Sequence, residues 1–508
     1  MMRASALALA VLVPLESMAR ERESVLEQRL HRLERRQEAT ENELRAKDAR
    51  IHELEERLRQ MEAAGAARTE HGQQAKAPEP GKAGPTKATK DRVRLKTPSS
   101  PAAAETEPQY YGVFAPGKGF SLARTKYGDI NASTYFLVRY LNQNPDADTW
   151  TDHFGNQRKF SPHPRNDIQV NRMMLMFFGW IYDPRFRYFT YVWTSDAQLG
   201  RETQVLIGGN VSFKFSDAFT LFAGIGPMPG TRTNQNVWPY FMATDRRMAD
   251  EFFRPAYTQG LWIAGNPLPK FYYQAMMGNN LSLLGIDAGQ LDRRFSYGAA
   301  VWWMPTTGEF GPRGSLTDYE IHDKLATRVG LGFTWSPEDR QSQPDPLSGS
   351  ENTVIRLSDG LVAFDKGALA PGVTVNRLNF TLLAANAGLK YQGFALNGEY
   401  FFRWLDHFKA DGLVPFDSVF DHGFQVQTSY QVWPRRFEAY GGTSWVFGNF
   451  RTSWEAVGGF NAFPFDTRNF RLNSELIYVN KSPAGSLYTP YLVGQTGVTF
   501  VGNIELFF

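Results

Sequence analysis

The chain ends in the stretch Val498-Thr499-Phe500-Val501-Gly502-Asn503-Ile504-Glu505-Leu506-Phe507-Phe508, which carries the clearest indication of the fold. Counted back from the terminal residue, every second position is apolar or glycine: Leu506, Ile504, Gly502, Phe500 and Val498. Successive side chains of a β-strand point to opposite faces, so these residues share one face. The stretch therefore predicts a last strand that has an apolar face and ends in an aromatic residue.

The same two-residue alternation recurs along the chain from about residue 134 onward. In 393–404, one face carries Phe394, Leu396, Tyr400, Phe402 and Trp404, and the other carries Ala395, Asn397, Glu399 and Arg403. We count about sixteen candidate strands: 134–141, 168–181, 186–195, 203–215, 219–226, 258–265, 270–277, 295–304, 326–336, 378–391, 393–404, 423–432, 436–446, 452–461, 470–479 and 496–508. Region 109–508 is therefore predicted to be all-β.

The connections between these strands differ strongly in length. Tight turns such as Gln392-Gly393 contrast with long polar segments, of which the longest are 142–167, 227–257, 305–325 and 337–372. Short turns at one end and long loops at the other are typical of a transmembrane antiparallel β-barrel. A water-soluble sandwich would alternate in the same way. The last strand favours the barrel, because its pattern is similar to the signal by which outer-membrane barrels are recognised for insertion.

The composition excludes several classes of protein. The 508 residues include no cysteine, so there is no disulfide framework and no thiolate metal cluster. Lys and Arg number 55 against 52 Asp and Glu, a balance that argues against a nucleic-acid binder. Only one uninterrupted apolar stretch approaches the length of a membrane span, and it lies at the N-terminus. A helical membrane protein is therefore excluded.

The first 108 residues divide into three predicted segments. Residues 1–19 resemble a secretory signal peptide, in which Arg3 precedes an apolar run. Residues 20–63 place apolar side chains at heptad spacing from Leu26 to Met61, which predicts a coiled coil, with a single solvated helix as the alternative. Residues 64–108 are rich in Pro, Ala and Lys and predict a disordered linker.

These parts suit the envelope of a Gram-negative-type bacterium. We expect a barrel in outer-membrane lipid, with the coiled coil in the periplasm. Basic residues of the linker, between Lys87 and Lys96, are candidates for contact with cell-wall polymer, and a solvated linker is the alternative.

The order of the parts resembles the phosphate-selective porins of the O and P type. Three stretches carry the resemblance: Pro116 to Leu122, Asn171 to Gly179 followed by Phe186 to Ala197, and Ala395 to Arg403. The resemblance implies a sixteen-stranded barrel that assembles as a homotrimer and lets small anions such as phosphate pass. It covers roughly 116–508 in architecture.

Two departures from the family pattern concern its arginines. The family's second strand usually carries a run of arginines, whereas here only Arg172 matches and Met174 stands where another is expected. Members often place an arginine two residues before a glycine that corresponds to Gly260, and this chain has Thr258 there. The sequence therefore leaves the choice between phosphate selectivity and a more general pore open.

The candidate site lies in segment 227–257, which is long enough to fold inward and narrow a pore. Its arginines suit anion binding, because a guanidinium can donate two hydrogen bonds to a phosphate or carboxylate. The candidates for the constriction are Arg232, Arg246, Arg247 and Arg254. Strand parity adds four lumen-facing basic candidates: Arg172, Lys214, Arg328 and Arg403. The alternative is that these charges are merely solvated in the lumen or loops.

The sequence predicts a porin for passive diffusion of small hydrophilic solutes, with anions such as phosphate as the candidate preferred solutes. The second hypothesis is a structural envelope protein whose coiled coil tethers the outer membrane to the cell wall. We predict no enzyme, no cofactor and no metal site, because no nucleophile elbow, phosphate-binding loop or paired-histidine motif occurs. A barrel enzyme that assembles its site across strands is the one catalytic alternative.

Overall fold

A computed structural model describes residues 113–115, 119–194, 205–283, 286–345 and 352–508, together with Glu56. The predicted signal peptide, coiled coil and linker lie outside the described residues, apart from Glu56, and stay predictions.

The regular secondary structure of the described part of the chain consists almost entirely of β-strands. In chain order they are β1 (Val113–Ala115), β2 (Gly119–Thr125), β3 (Gly128–Pro145), β4 (Thr149–Thr151), β5 (Gln157–Lys159), β6 (Asn166–Ile181), β7 (Asp183–Thr194), β8 (Val205–Lys214), β9 (Thr220–Pro227), β10 (Tyr257–Leu268), β11 (Phe271–Gly278), β12 (Ser296–Trp303), β13 (Ala326–Asp339), β14 (Val375–Tyr391), β15 (Phe394–Ala410), β16 (Ser418–Trp433), β17 (Phe437–Phe447), β18 (Thr452–Ala462), β19 (Phe470–Asn480) and β20 (Gly497–Phe507). The described α-helix is α1 (Met248–Phe253), and single 3₁₀ turns span Arg232–Asn234, Ala288–Gln290, Pro312–Gly314 and Arg340–Ser342. Among the described residues, no helix is long and apolar enough to span a membrane.

Sixteen of these strands form one closed antiparallel barrel. The series runs β3, then β6 to β20 in chain order, each strand paired with the next, and β20 returns to pair with β3. In this closing pair Val498 lies opposite Asn144, and Phe507 lies opposite Tyr135. Each of the sixteen predicted strands has its counterpart in the series. The prediction of an all-β antiparallel barrel of about sixteen strands is therefore confirmed.

The two ends of the barrel region meet at the closing seam. The first residues of β3 pair with β2, where Thr125 lies opposite Gly128, and the rest of β3 pairs with β20. Between these two stretches Phe508 and Thr134 exchange backbone hydrogen bonds, with N···O distances of 2.6 and 3.0 Å. The aromatic residue at the terminus thus completes the pairing of β3, and its ring lies 6.0 Å from that of Phe120.

The alternation along the strands separates two faces of the wall. On the inward face of β15, Asn397, Glu399 and Arg403 are at most 4% exposed. Large apolar side chains cover the outward face, and the most exposed include Ile207, Leu261, Leu331, Leu476 and Ile504. At the short-turn end, this face carries exposed aromatic side chains, which include Tyr127, Tyr182, Phe215, Trp433 and Phe465. An apolar band bordered by aromatic residues is the surface that a barrel presents to lipid.

At one end of the barrel, the strands are joined by short turns, except between β12 and β13. The turn between β14 and β15 is tight, because Gln392 and Gly393 both have positive φ, 49° and 84°, as a two-residue hairpin turn requires. Connections 146–165, 228–256, 340–374 and 481–496 belong to the opposite end. Segment 304–325 differs from the expectation that long connections share one end, because it joins β12 to β13 at the short-turn end. It is accommodated there because it packs inside the barrel.

Removal of Phe508 should weaken closure of the barrel. Two backbone hydrogen bonds to Thr134 would be lost, and each contributes about 1 kcal/mol to the free energy of unfolding. We therefore expect a loss of about 2 kcal/mol, measured as a lower temperature for loss of the compact band in semi-native electrophoresis. Phe508→Tyr keeps both backbone bonds and serves as the control. Equal unfolding temperatures for the truncated and full-length chains would contradict this account.

Candidate functional site

Segment 228–256 leaves β9, enters the lumen and returns to β10. Its first residues run close to the inner wall, where a side chain at Gly332 would collide with the backbone carbonyl of Gly230. The Thr334 hydroxyl of the same strand donates to the carbonyl of Pro229 at 2.6 Å. Glycine is therefore required at position 332, because only a residue without Cβ lets the segment approach the wall this closely.

The segment then contacts the far wall at β15. The backbone N–H of Arg232 donates to Glu399 Oε1 at 2.7 Å, and its guanidinium donates to Asn397 Oδ1 at 2.6 Å. Arg232 is 2% exposed, and its guanidinium lies over the ring of Phe310. The distance to the ring centroid is 5.2 Å, within the roughly 6 Å at which cation–ring contacts act. This arginine is therefore a structural anchor of the segment.

A second set of contacts fixes the segment to β18 and β19. Arg247 Nη1 lies 2.6 Å from Glu475 Oε1, with both side chains buried. The backbone N–H of Met248, at the start of α1, donates to Glu455 Oε1 at 2.7 Å. Segment 228–256 therefore bridges the lumen from β9 and β10 to the wall formed by β15 to β19.

Segment 304–325 enters from the short-turn end and meets the first segment inside the barrel. The backbone N–H of Leu316 donates to the carbonyl of Tyr240 at 3.1 Å. The ammonium of Lys390, on β14, donates to the carbonyl of Phe310 and to Ser315 Oγ, both at 2.8 Å. The two inward segments are thus bonded to each other and to the wall, and together they fill much of the lumen.

His322 fastens the end of segment 304–325. Its Nδ1 bonds the carboxylate of Asp318, and its Nε2 lies 2.9 Å from Glu309 Oε1. The bond to Asp318 raises the pKa of His322 above its usual value, whereas burial of the ring and, to a smaller extent, the charge of Lys390 oppose that shift. A group whose pKa rises on folding stabilises the folded form below its unfolded pKa, near 6.5, and loses this effect as the pH rises through the folded pKa.

The anchor at His322 should therefore loosen as the pH rises. We expect trypsin to cut segment 304–325, at the exposed Lys324 close to His322, more slowly in the natural chain than in His322→Gln at pH below about 6.5. The two cleavage rates should converge as the pH rises through the raised pKa of His322. The ratio of the cleavage rate of His322→Gln to that of the natural chain cancels the pH dependence of trypsin itself. A ratio that stays constant with pH would contradict the role assigned to His322.

Three cavities remain beside the inward segments, on the side of β6 to β10. The loop-end cavity, of about 40 Å³, lies between segments 228–256, 352–374 and 481–496. The central cavity, of about 420 Å³, lies against the inner faces of β6 to β11. The turn-end cavity, of about 430 Å³, reaches Asp129 and Pro184 near the short turns.

The loop-end and central cavities share Arg172 and Arg246, and the central and turn-end cavities share Phe189, Asn210 and Phe222. The cavities therefore lie in series through the barrel.

A β-bulge brings Arg172 to the boundary between the first two cavities. Leu137 of β3 lies opposite Arg172 and the next residue, Val138, lies opposite Val170, so that Asn171 is extra. As a result, both Asn171 and Arg172 are buried, at 0% and 6% exposure, although they are adjacent in a strand. Such a bulge interrupts the alternation and redirects side chains. Arg172 reaches the same boundary as Arg246 of the inward segment.

Asp245 lies beside Arg172 at this boundary and directly precedes Arg246 in the chain. Its Oδ1 is 3.6 Å from Arg172 Nη2, and its Oδ2 is 2.5 Å from Nη2 of Arg139 on β3. Arg246 lies over the ring of Phe241, 5.1 Å from the centroid, and its Nε donates to Thr233 Oγ1 at 3.2 Å. The boundary is therefore rich in guanidinium groups that are held in place by surrounding bonds.

The eight arginine and lysine candidates of the sequence thus separate into three groups. Arg172 and Arg246 line both the loop-end and central cavities, and Arg254 lines the loop-end cavity, 2.9 Å from Glu251. Arg232, Arg247, Arg328 and Arg403 lie in buried networks instead. Arg328 donates to the amide of Gln235, and Arg403 lies 2.5 Å from Asp421. Lys214 is at the end of β8, where its ammonium lies 2.6 Å from Asp217 of the adjoining turn.

Sequence reasoning missed three arginines of this region. Arg139 shares the inward parity of Tyr135 and Leu137 in a predicted strand, so the alternation contained the signal. Arg313 lines the central cavity and Arg356 the loop-end cavity, but both belong to irregular segments that have no periodicity to read.

The central and loop-end cavities carry an excess of positive charge. The central cavity is lined by Arg172, Arg246 and Arg313 and by no Asp or Glu among the described residues. Four arginines line the loop-end cavity against Asp245 and Glu251. No group of three or more His, Asp or Glu within the described ranges is arranged to hold a metal ion. The arginines of these two cavities are therefore suited to attracting anions by electrostatics.

No known protein family and no curated protein matches the sequence. Several solved outer-membrane proteins have a similar structure. OmpT of Vibrio cholerae is 10% identical, with 76% of this chain and 99% of that chain covered and a TM-score of 0.45. An anion-selective porin from Comamonas acidovorans is 10% identical, with 75% and 99% covered and a TM-score of 0.46. OprB of Pseudomonas putida is 11% identical, with 75% and 94% covered and a TM-score of 0.39.

Arg247→Gln should destabilise the barrel, because it leaves the buried carboxylate of Glu475 without its ion-pair partner. Breaking one side of a buried pair lowers the free energy of unfolding by about 3–5 kcal/mol. Chemical unfolding in detergent, followed by tryptophan fluorescence, measures this loss. Arg293→Gln removes an exposed arginine and should change stability by less than about 0.5 kcal/mol. Equal losses for the two variants would contradict the structural role of Arg247.

Proposed function

We propose that this protein is an outer-membrane channel for passive diffusion of small hydrophilic solutes, with a preference for anions. The observation that carries the proposal is the series of three cavities through the closed barrel, with guanidinium groups where the loop-end and central cavities meet. The apolar outward face and the aromatic residues at the short-turn end support a location in lipid. Phosphate is one candidate anion, suggested by the resemblance of the sequence.

The proposed selectivity arises where the loop-end and central cavities meet. A solute that passes between Arg172 and Arg246 loses part of its hydration shell, and the guanidinium donors replace that shell for an anion only. A cation meets repulsion from the same groups, and the low-dielectric wall strengthens both effects. Asp245 offsets part of the positive charge, which favours weak binding and hence passage over tight retention.

Three further proposals concern residues outside the described part of the chain. We propose export through the signal peptide 1–19, a coiled coil at 20–63 on the periplasmic side, and a linker that contacts cell-wall polymer. Assembly as a homotrimer is proposed from the family resemblance.

The second candidate function is that of a structural envelope anchor. It is favoured by one observation: segments 228–256 and 304–325 bond to each other and fill much of the lumen. In that case the barrel would hold the coiled coil at the membrane without conducting.

Replacing Arg172 and Arg246 together by Gln should reduce anion preference. We expect the ratio of anion to cation permeability to fall roughly fivefold, which corresponds to about 1 kcal/mol of lost electrostatic stabilisation. The measurement is the reversal potential of the folded protein in a planar bilayer under a potassium chloride gradient, repeated with phosphate as the anion.

Arg293→Gln is the matched control, because it removes an arginine that lines none of the three cavities. Unchanged selectivity in the double variant would remove Arg172 and Arg246 from the proposed constriction. No conductance from a correctly folded natural chain would favour the structural anchor instead.

A further inference from the structure

We propose that the central cavity binds organic anions that combine an aromatic or similarly flat apolar ring with a carboxylate. The inference rests on the proposed channel function, because it names the class of solute that the channel would hold. Its basis is the composition of the cavity wall, which differs from that of the remaining inner surface.

One wall of the central cavity is aromatic. Eight aromatic side chains line it: Tyr135, Phe189, Tyr191, Trp193, Phe222, Trp238, Tyr257 and Trp262. The rings of Phe222 and Trp262 are stacked, with centroids 5.1 Å apart and an angle of 4° between their planes. Trp238 of the inward segment lies 4.9 Å from Tyr135 of the barrel wall, centroid to centroid. Flat apolar groups therefore have preformed partners for stacking on both the wall and the segment.

This aromatic surface is unusual for the inside of the barrel. The inward faces of β15 to β19 carry mainly amides and charges, such as Asn397, Glu399, Glu455, Asn473 and Glu475. A pore for hydrated inorganic ions gains nothing from stacked rings, since an ion that keeps its water shell has no apolar surface to bury. The aromatic wall therefore points to a solute that has an apolar part.

The size and polar groups of the cavity match such a solute. Its volume of about 420 Å³ falls within the range typical of small-molecule sites, which are mostly apolar and contain a few directed polar groups. Here these are Arg172, Arg246 and Arg313, with the amides of Asn210 and Gln274. The guanidinium of Arg313 donates to the backbone carbonyl of Trp238 at 2.9 Å, so a charged residue and an aromatic residue of the lining are bonded to each other.

The charge of the lining separates this class from neutral sugars. Neutral sugars also stack on aromatic rings, but they need acceptor and donor groups rather than net charge. Three guanidinium groups and no carboxylate line the cavity among the described residues, while Asp245 and Asp250 lie 3.6 and 4.0 Å from Arg172 and Arg246 outside the lining. The groups that a solute meets are therefore positive and favour an anion, because arginine can bind a carboxylate through two parallel hydrogen bonds. The ring and the carboxylate of one solute would be recognised together.

The test measures binding to the purified, full-length folded protein in detergent by tryptophan fluorescence. Trp193, Trp238 and Trp262 line the cavity and report on a bound ring. The probes are benzoate, acetate, which has the charge without the ring, and benzyl alcohol, which has the ring without the charge. We expect saturable binding of benzoate at concentrations at least roughly tenfold below those needed for either comparison compound.

Two variants assign the binding to this cavity without removing a reporter tryptophan. Phe222→Leu should weaken benzoate binding roughly threefold, because a stacking ring is lost. Arg313→Gln should weaken it roughly fivefold, because a charge-assisted donor is lost. Arg313 is exposed in a loop, so this variant is expected to fold even where Phe222→Leu does not. Phe420→Leu, which changes an aromatic residue on the outward face of β16, should bind benzoate as the natural chain does.

The outcomes separate this inference from the proposed function. Benzoate binding that both variants weaken, in a protein that conducts no ions, would support the inference and overturn the channel. Conductance with equal affinity for benzoate, acetate and benzyl alcohol would overturn the inference and leave the channel. Benzoate binding that neither Phe222→Leu nor Arg313→Gln weakens would place the ligand elsewhere and overturn the assignment.

Discussion

A wall whose outer face is apolar cannot leave a strand edge unpaired where no water is available to bond its backbone groups. The seam at β3 meets this requirement with two partners, β2 along its first residues and β20 along the rest. Phe508 bonds the residue between them. The terminal aromatic residue is thus part of the closure, and every other feature depends on the closed sheet, because only a closed wall has an interior.

Closure creates a second requirement, since the inward face carries charges and amides that need partners. Glu399 accepts from the backbone of Arg232, Glu455 from the backbone of Met248, and Glu475 from the guanidinium of Arg247. The inward segment therefore pairs the polar groups of the wall, and the wall pairs the backbone of the segment. Each set would be costly to bury alone.

The strands could be predicted from the sequence because the wall has an apolar outer face and a polar inner face, so apolar and polar residues alternate strictly along each strand. The site could be predicted less completely from the sequence. Arg246 and Arg247 are neighbours in the chain, yet Arg246 lines the cavities and Arg247 pairs with a residue on β19, which no local pattern reveals. Parity indicated that Arg172 faces inward, but not the bulge that also turns Asn171 inside. The length of 304–325 was visible and the strand count already assigned it to the short-turn end, but no sequence pattern showed that it packs inside the barrel.

The three cavities lie on one side of the barrel, and their position follows from the same need to pair buried polar groups. Backbone N–H groups of segment 228–256 require acceptors, and the carboxylates of β15 and β18 supply them. The aromatic wall offers few acceptors, since tryptophan only donates and phenylalanine does neither. The segment is therefore held on the carboxylate side, and the space that it leaves lies against the rings of β7, β9 and β10. One distribution of side chains thus determines both where the barrel is filled and what lines the part that stays open.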